Sequence, residues 1–288
     1  MLVRGDEPLD TTFERLLTEA PGDVRSRAQG LPYRLGLTHR PHGGWGDFAS
    51  LEPICDLPLY VLDVMPRVGE ETVAQFRFAH RAGGFHGLLI DRVADGQVTL
   101  DRDLRSVRTW LRRVRVAALA TAIGDACEAE RLVQRAERAF RAATALERRA
   151  RSTGKLAVSE YVRIVSLKTA WLAGPTVALL RRGAADHLAA FERGYTLFML
   201  GLQALDDGSD IAEDEALFGV SVPALLGVSP GAMRQAARVV TEHATSELGR
   251  AGFARFAAWS ESRTRELRSP AGLLSALGGL ALGERLAA

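Results

Sequence analysis

The sequence is poor in cysteine and in lysine. It has two cysteines, Cys55 and Cys127, which are too few for a disulfide framework and show no metal-site spacing. Among its 37 basic residues only Lys155 and Lys168 are lysines. The formal net charge of +2 argues against a protein that coats nucleic acid. Because unpaired cysteines are typical of reducing compartments, we expect a cytoplasmic protein.

Long apolar runs are also missing. The N-terminus, MLVRGDEPLD, is too polar for a signal peptide. No stretch has the roughly 18 consecutive apolar residues that a membrane-spanning helix needs. We therefore expect no stable membrane insertion.

Proline is unevenly distributed. There is none from Arg67 to Gly174, whereas most of the 11 prolines lie between Pro8 and Pro66. Since proline disrupts helix interiors, residues 1–66 are predicted to hold one short helix (11–20) followed by irregular chain that packs on the rest. Residues 67–288 show apolar residues at three- and four-residue spacing and no strand pattern, which predicts an all-α helical domain. The predicted helices are 70–95, 103–122, 124–152, 158–181, 184–207, 230–248, 250–268 and 270–284.

The stretch GLQALDDGSDIAED (201–214) concentrates carboxylates directly after an apolar run. On a continuous helix, Asp206, Asp210 and Asp214 would form one row, because residues four apart share a face. Acidic residues at a helix C-terminus oppose the helix dipole by roughly 0.3–1 kcal/mol each. Bound Mg²⁺ would reverse that cost, since carboxylate oxygens are its natural ligands. The alternative is a solvated acidic helix end.

Lys168 lies on an otherwise apolar face of the preceding predicted helix, within YVRIVSLKTAWLAG. A lysine can occupy such a face by extending its ammonium group to water. This interpretation is weakened by the next predicted helix, which offers a row of carboxylates close by in the sequence.

Together the two stretches resemble the trans-isoprenyl diphosphate synthases of the class I isoprenoid synthase superfamily. That family carries a Tyr, a Lys-Thr pair and then Phe-Gln-x-x-Asp-Asp-x-x-Asp. The counterparts here are Tyr161, Lys168, Thr169, Gln203, Asp206, Asp207 and Asp210, with Leu202 in place of the Phe. The resemblance implies a single bundle of antiparallel helices around a central cavity, a homodimer, and three Mg²⁺ ions per active site that bind a prenyl diphosphate.

The family's first acidic motif, Asp-Asp-x-x-Asp, is degenerate here. The sequence reads Asp91-Arg92-Val93-Ala94-Asp95, so Arg92 replaces the second Asp. The resemblance makes Asp91, Asp95, Asp206 and Asp210 the predicted metal ligands. With Lys168 and Asp207 they form the predicted catalytic set. The remaining predicted substrate-binding residues are Arg92, Thr169 and Gln203 near the diphosphate, and Gly87, Phe85, Trp171, Phe198 and Met199 along the tail; ordinary core packing is the alternative for the aromatic residues.

Chain-elongating members of the family bind a second substrate, isopentenyl diphosphate, through a Gly-Lys-Arg segment near the N-terminus and an Arg-Arg pair just after the first acidic motif. Neither is present at its position; the stretch GQVTLDRDLR that follows the first motif offers only the separated Arg102 and Arg105. This favours a Mg²⁺-dependent terpene synthase, which ionises an allylic prenyl diphosphate and cyclises or quenches the cation. Two alternatives stay open. One is a prenyltransferase that elongates the chain or alkylates another acceptor, and the other is a catalytically dead homologue that acts as a binding or regulatory subunit.

Overall fold

The computed structural model describes residues 1–3, 6–47 and 55–266, and every regular element in these ranges is a helix. The all-α prediction is therefore confirmed. The elements in chain order are α1 (Leu9–Glu19), α2 (Gly22–Ala28), α3 (Leu31–Arg34), α4 (Glu70–Ala94), α5 (Arg102–Ile123), α6 (Ala126–Thr153), α7 (Val158–Gly183), α8 (Leu188–Asp207), α9 (Ile211–Phe218), α10 (Val222–Leu226), α11 (Pro230–Arg250) and α12 (Ala254–Glu266), with short 3₁₀ turns at Trp45–Asp47, Leu57–Val64 and Ala185–His187.

The long helices and α1 agree with the predicted ranges to within a few residues, but the other short helices were missed. The N-terminal segment holds α1, α2 and α3, where the sequence predicted one helix and irregular chain. Pro21 directly precedes α2, and Pro32 lies in the first turn of α3. Proline is favoured at the start of a helix, because N–H groups in the first turn have no intrahelical partner and a proline therefore loses no hydrogen bond there. The predicted helix 270–284 lies outside the described residues.

Among the described residues, the chain divides into two compact units. The first unit comprises Met1–Leu59 and Arg67–Arg131, and the second comprises Tyr60–Pro66 and Leu132–Thr264. Each unit has its own buried apolar residues, and each is described by itself below.

In the first unit an aromatic cluster joins the N-terminal segment to α4. The ring centroid of Phe13 lies 5.1 Å from the ring centroids of both Trp45 and Phe85, and the centroids of Trp45 and Phe85 are 4.6 Å apart. The carboxylate of Asp10 accepts hydrogen bonds from the backbone N–H groups of Trp45 and Gly46. The loop that carries Trp45 is thus fixed to α1, and Phe85 is a core residue.

A buried ionic network also holds the N-terminal segment. Asp56 Oδ2 lies 2.6 Å from Arg81 Nη2 and 3.0 Å from Arg77 Nη2, and both arginine side chains are almost fully buried. Arg81 Nη1 also donates to the backbone carbonyl of Glu7 (2.8 Å) and to the hydroxyl of Thr12 (2.7 Å). Burial raises the pKa of Asp56, but the hydrogen bonds from Arg81 and Arg77 outweigh it and hold the pKa below its usual range.

In the second unit, close packing against α11 positions the C-terminal part of α8. A methyl group at Gly194 would lie 2.7 Å from side-chain carbons of Leu248. One at Gly201 would lie 3.1 Å from the backbone carbonyl oxygen of Ala237 and would also contact the hydroxyl of Thr241. Side chains at these two positions would therefore force the helices apart. Glycine allows α8 to approach α11 closely just before its acidic end.

Candidate functional site

The acidic stretch forms a junction between two helices and not one continuous helix. Helix α8 ends at Asp207, where the predicted helix 184–207 also ends, and α9 begins at Ile211. The four-residue spacing nevertheless survives. The N–H of Asp210 donates to the carbonyl of Asp206, and the N–H of Asp214 to that of Asp210, each at 2.9 Å. Asp206 and Asp210 therefore stay one turn apart.

The carboxyl groups of Asp206 and Asp210 interact with each other, and this interaction is one of the influences on the pKa of Asp210. Burial raises the pKa of Asp210 to about 6; the hydrogen bond to Asp206 opposes the shift, and the charges of Glu213, Asp214 and Asp207 add to it. A raised carboxyl pKa means that the surroundings of the group disfavour its ionised form. A cation bound beside Asp210 would relieve the repulsion between its carboxylate and the neighbouring ones.

Asp207 points into a hydrogen-bonded triad with Tyr161 and Gln203. The Tyr161 hydroxyl donates to Asp207 Oδ2 (2.6 Å), and Gln203 Nε2 donates to Asp207 Oδ1 (3.0 Å). Burial raises the pKa of Asp207 to about 7, against the effect of these hydrogen bonds and with a further contribution from the charge of Asp206. The side chain of Gln203, a residue predicted to bind substrate, donates this hydrogen bond to a carboxylate of its own helix.

Lys168 lies beside a carboxylate that the sequence prediction missed. Its Nζ is 2.8 Å from Glu147 Oε1, and the two side chains are 20% and 18% exposed. Glu147 lies on α6 between Ala143 and Ala150, both of which are buried. A carboxylate at a core-facing position of a helix is a signal visible in the sequence, but its partner is decided only by how α6 and α7 pack.

The remaining predicted residues of the second unit make local or core contacts. The Thr169 hydroxyl donates to the carbonyl of Ser166 (3.1 Å). Trp171 packs edge-on against Phe140, with centroids 5.8 Å apart. Phe198 is fully buried against Phe256 and Trp259, and Met199 is half-buried.

The first unit carries the remaining predicted residues. Asp91 and Asp95 are half-buried, and the N–H of Asp95 donates to the carbonyl of Asp91 (2.9 Å), so they too stay one turn apart. Arg92 Nη1 donates to Gln97 Oε1 (3.0 Å), and Gly87 is half-buried. The assignment of Asp91 and Asp95 as metal ligands stays a prediction.

The residues at the end of α8 fit Mg²⁺ by their chemistry. Asp206 and Asp210 offer hard oxygen donors whose mutual interaction and neighbouring charges favour a cation. Across residues 1–3, 6–47 and 55–266, no three His, Cys, Asp or Glu side chains are grouped so as to hold a metal by themselves. Mg²⁺ commonly takes one or two protein carboxylates and completes its shell with water and substrate phosphate.

Comparison with known proteins establishes the fold. Neither a protein-family model nor a curated protein matches the sequence. The crystal structure of a polyprenyl synthetase from Streptomyces coelicolor A3(2) does match, with a TM-score of 0.55 over 96% of this chain and 93% of that chain, at 17% sequence identity. The fold is isoprenoid synthase-like.

The isoprenoid synthase-like fold that the resemblance between Tyr161 and Asp210 implied is therefore confirmed. At this level of identity the likeness concerns the fold alone. Within the described part of the chain, no helix is both long enough and apolar enough to cross a bilayer.

Proposed function

We propose that the protein is a Mg²⁺-dependent class I terpene synthase that ionises an allylic prenyl diphosphate and then cyclises or quenches the cation. One observation carries the proposal. In an isoprenoid synthase-like fold, a backbone hydrogen bond keeps Asp206 and Asp210 one turn apart at the end of α8, in the same unit as the Lys168–Glu147 pair.

The diphosphate group of the substrate is proposed to bind at Asp206, Asp210 and Lys168. Asp206 and Asp210 would hold Mg²⁺, and the resemblance gives Asp91 and Asp95 the same role. Bound Mg²⁺ supplies Lewis-acid neutralisation of the charge on the departing diphosphate. The Lys168 ammonium group would donate hydrogen bonds to the diphosphate oxygens, for which it must leave or share Glu147.

The apolar end of the reaction needs a dry surface that tolerates positive charge. Trp171 and Phe198 are almost fully buried, and Phe198 belongs to an aromatic group with Phe256 and Trp259. An aromatic face stabilises a desolvated cation by about 0.5–2 kcal/mol. Excluding water at this stage selects a cyclised hydrocarbon over an alcohol.

The choice between cyclisation and prenyl transfer depends on whether the chain has the basic residues that bind a second diphosphate substrate. The basic residues through which chain-elongating enzymes bind isopentenyl diphosphate are missing, which favours a reaction with one diphosphate substrate. The matched structure is that of a polyprenyl synthetase, which favours the second candidate, a prenyltransferase. The degenerate first motif, in which Arg92 replaces an Asp, favours the third candidate, a non-catalytic homologue that acts as a binding or regulatory subunit.

One assay separates these functions. The purified protein is incubated with Mg²⁺ and geranyl, farnesyl or geranylgeranyl diphosphate, each with and without isopentenyl diphosphate. A hydrocarbon or alcohol formed from a single diphosphate supports the terpene synthase, and longer diphosphates formed only with isopentenyl diphosphate support the prenyltransferase. No turnover of any substrate, with the protein folded by circular dichroism, would contradict both catalytic functions.

A further inference from the structure

We infer that Tyr161 and Gln203 are positioning residues that hold Asp207 out of the metal shell, so that Asp206 and Asp210 serve as the ligands of this acidic stretch. This inference rests on the proposed function. Both oxygens of Asp207 already accept hydrogen bonds, Oδ2 from the Tyr161 hydroxyl at 2.6 Å and Oδ1 from Gln203 Nε2 at 3.0 Å. A carboxylate engaged in this way has fewer lone pairs for a metal.

The Tyr161 hydroxyl acts as a permanent donor. Its residue is 7% exposed. Burial raises the pKa of Tyr161, and the negative charges of Asp207, Asp206 and Glu147 raise it further. The hydroxyl therefore keeps its proton, and a charge-assisted hydrogen bond to a carboxylate is the strongest contact open to it.

The bond from Tyr161 to Asp207 determines where Asp206 points. It joins α7 to the last residue of α8 across a sequence separation of 46 residues. Adjacent residues on a helix project about 100° apart, as 3.6 residues per turn requires. Holding Asp207 against α7 therefore fixes the rotation of the last turn of α8, and with it the direction in which Asp206 projects.

Tyr161→Phe tests the inference with a metal-binding readout. It removes the hydroxyl and keeps the ring. We expect the affinity for Mg²⁺ with inorganic pyrophosphate, measured by isothermal titration calorimetry, to fall about tenfold, as is typical when a residue that orients a metal ligand is lost. In turnover assays the half-saturating Mg²⁺ concentration should rise by a similar factor, while kcat at saturating Mg²⁺ recovers.

Tyr195→Phe is the matched control. Tyr195 lies on α8 in the same unit and is buried, and its hydroxyl has no hydrogen-bond partner among the described residues. Removing that hydroxyl should leave Mg²⁺–pyrophosphate affinity at the wild-type value. An equal loss in both variants would overturn the inference, because it would mark a general response of this unit to tyrosine replacement.

A second pair of variants separates positioning from ligation. In Asp207→Asn the remaining carbonyl oxygen still accepts from Tyr161, so we expect affinity within about tenfold of wild type. Asp206→Asn should lower it by about a hundredfold or more. Equal losses in Asp207→Asn and Asp206→Asn would make Asp207 a ligand and overturn the inference.

The proposed function and the inference fail in different ways. Wild-type protein that binds no Mg²⁺–pyrophosphate would reject the proposed function and the inference with it. Wild-type protein that binds, together with a Tyr161→Phe variant that binds equally well, would reject the positioning role alone.

Discussion

The ammonium nitrogen of Lys168 lies 2.8 Å from Glu147 Oε1, on a partly buried surface where α6 meets α7. The Lys168 ammonium group, which is proposed to bind diphosphate, is therefore paired with a carboxylate of the protein itself. A diphosphate that reaches Lys168 has to compete with Glu147 or to draw the lysine away from it. The affinity for the anion should depend on that competition.

Glu147→Gln is expected to strengthen the binding of inorganic pyrophosphate. Removing the competing charge makes the Lys168 ammonium group more available, by roughly 1 kcal/mol for a partly exposed ion pair, which corresponds to about a fivefold tighter Kd. Calorimetry without added metal measures it. Glu247→Gln is the control, since it removes the same charge from a Glu247–Arg250 pair on α11. Pyrophosphate bound no more tightly by Glu147→Gln than by the control would show that Glu147 does not compete.

Asp206→Asn and Lys168→Ala should each lower turnover by about a hundredfold or more while leaving the fold intact. Both remove a charge that the proposed mechanism places on the diphosphate or its metal. Product formation and far-UV circular dichroism check the two parts of the expectation. Asp186→Asn, the same chemical change at an exposed position of the same unit, should retain wild-type turnover. Wild-type rates in either site variant would mean that the site lies elsewhere.

The metal-free protein is expected to lose stability as the pH rises from about 4 to about 7. Burial raises the pKa of Asp207 to about 7 and that of Asp210 to about 6, whereas an unfolded aspartate titrates near 3.9. Between these values the folded state binds more protons than the unfolded state, so the free energy of unfolding falls with pH. This contribution is fully present below about pH 4 and is lost above about pH 7.

Thermal unfolding from pH 4 to 8 measures this dependence, with Asp207→Asn as the comparison. The variant has one raised carboxyl fewer, so its Tm should fall less steeply with pH than that of the wild type. Mg²⁺ with pyrophosphate should also flatten the profile, because a bound cation favours the ionised carboxylates. Parallel profiles for variant and wild type would show that Asp207 does not titrate in this range.

Asp56→Asn should destabilise the first unit by about 3 kcal/mol. The substitution removes the carboxylate that compensates two buried guanidinium groups, those of Arg77 and Arg81, and breaking a buried ion pair on one side is strongly destabilising. Urea unfolding measures the loss. The control is Asp23→Asn at the exposed Asp23–Arg27 pair, expected to change stability by less than about 1 kcal/mol. Similar midpoints for the two variants would contradict a stabilising role for the Asp56 network.

Two glycine substitutions test the packing of the second unit. Gly201→Ala would bring a methyl group to 3.1 Å from the carbonyl oxygen of Ala237 and into contact with Thr241, so we expect a loss of about 1–3 kcal/mol. Gly249→Ala on α11 would meet only the Cβ of Ala257 at 3.6 Å, an ordinary van der Waals distance, and alanine's higher helix propensity should stabilise by up to about 1 kcal/mol. Urea midpoints that shift in the same direction for both variants would contradict this account of α8 and α11.

The long helices could be predicted because their signal is local. The stretch without proline from Arg67 to Gly174 and its apolar spacing predict α4, α5 and α6 to within a few residues. Short helices such as α9 and α10 have too few turns for a periodic pattern, and Gly and Pro around them indicated only breaks. The motif spacing at Asp206 and Asp210 was also local, since four residues make one helical turn whether or not the helix continues.

The sequence by itself determined the all-α class and the placement of its carboxylates and of Lys168 along the helices, because these follow from helical periodicity within one segment. Only the tertiary structure decided which polar side chains meet: Lys168 with Glu147 across α6 and α7, and Tyr161 with Asp207 across α7 and α8. Such pairs depend on the packing and rotation of one helix against another. Those are set by many apolar contacts at once and are not encoded in any short stretch.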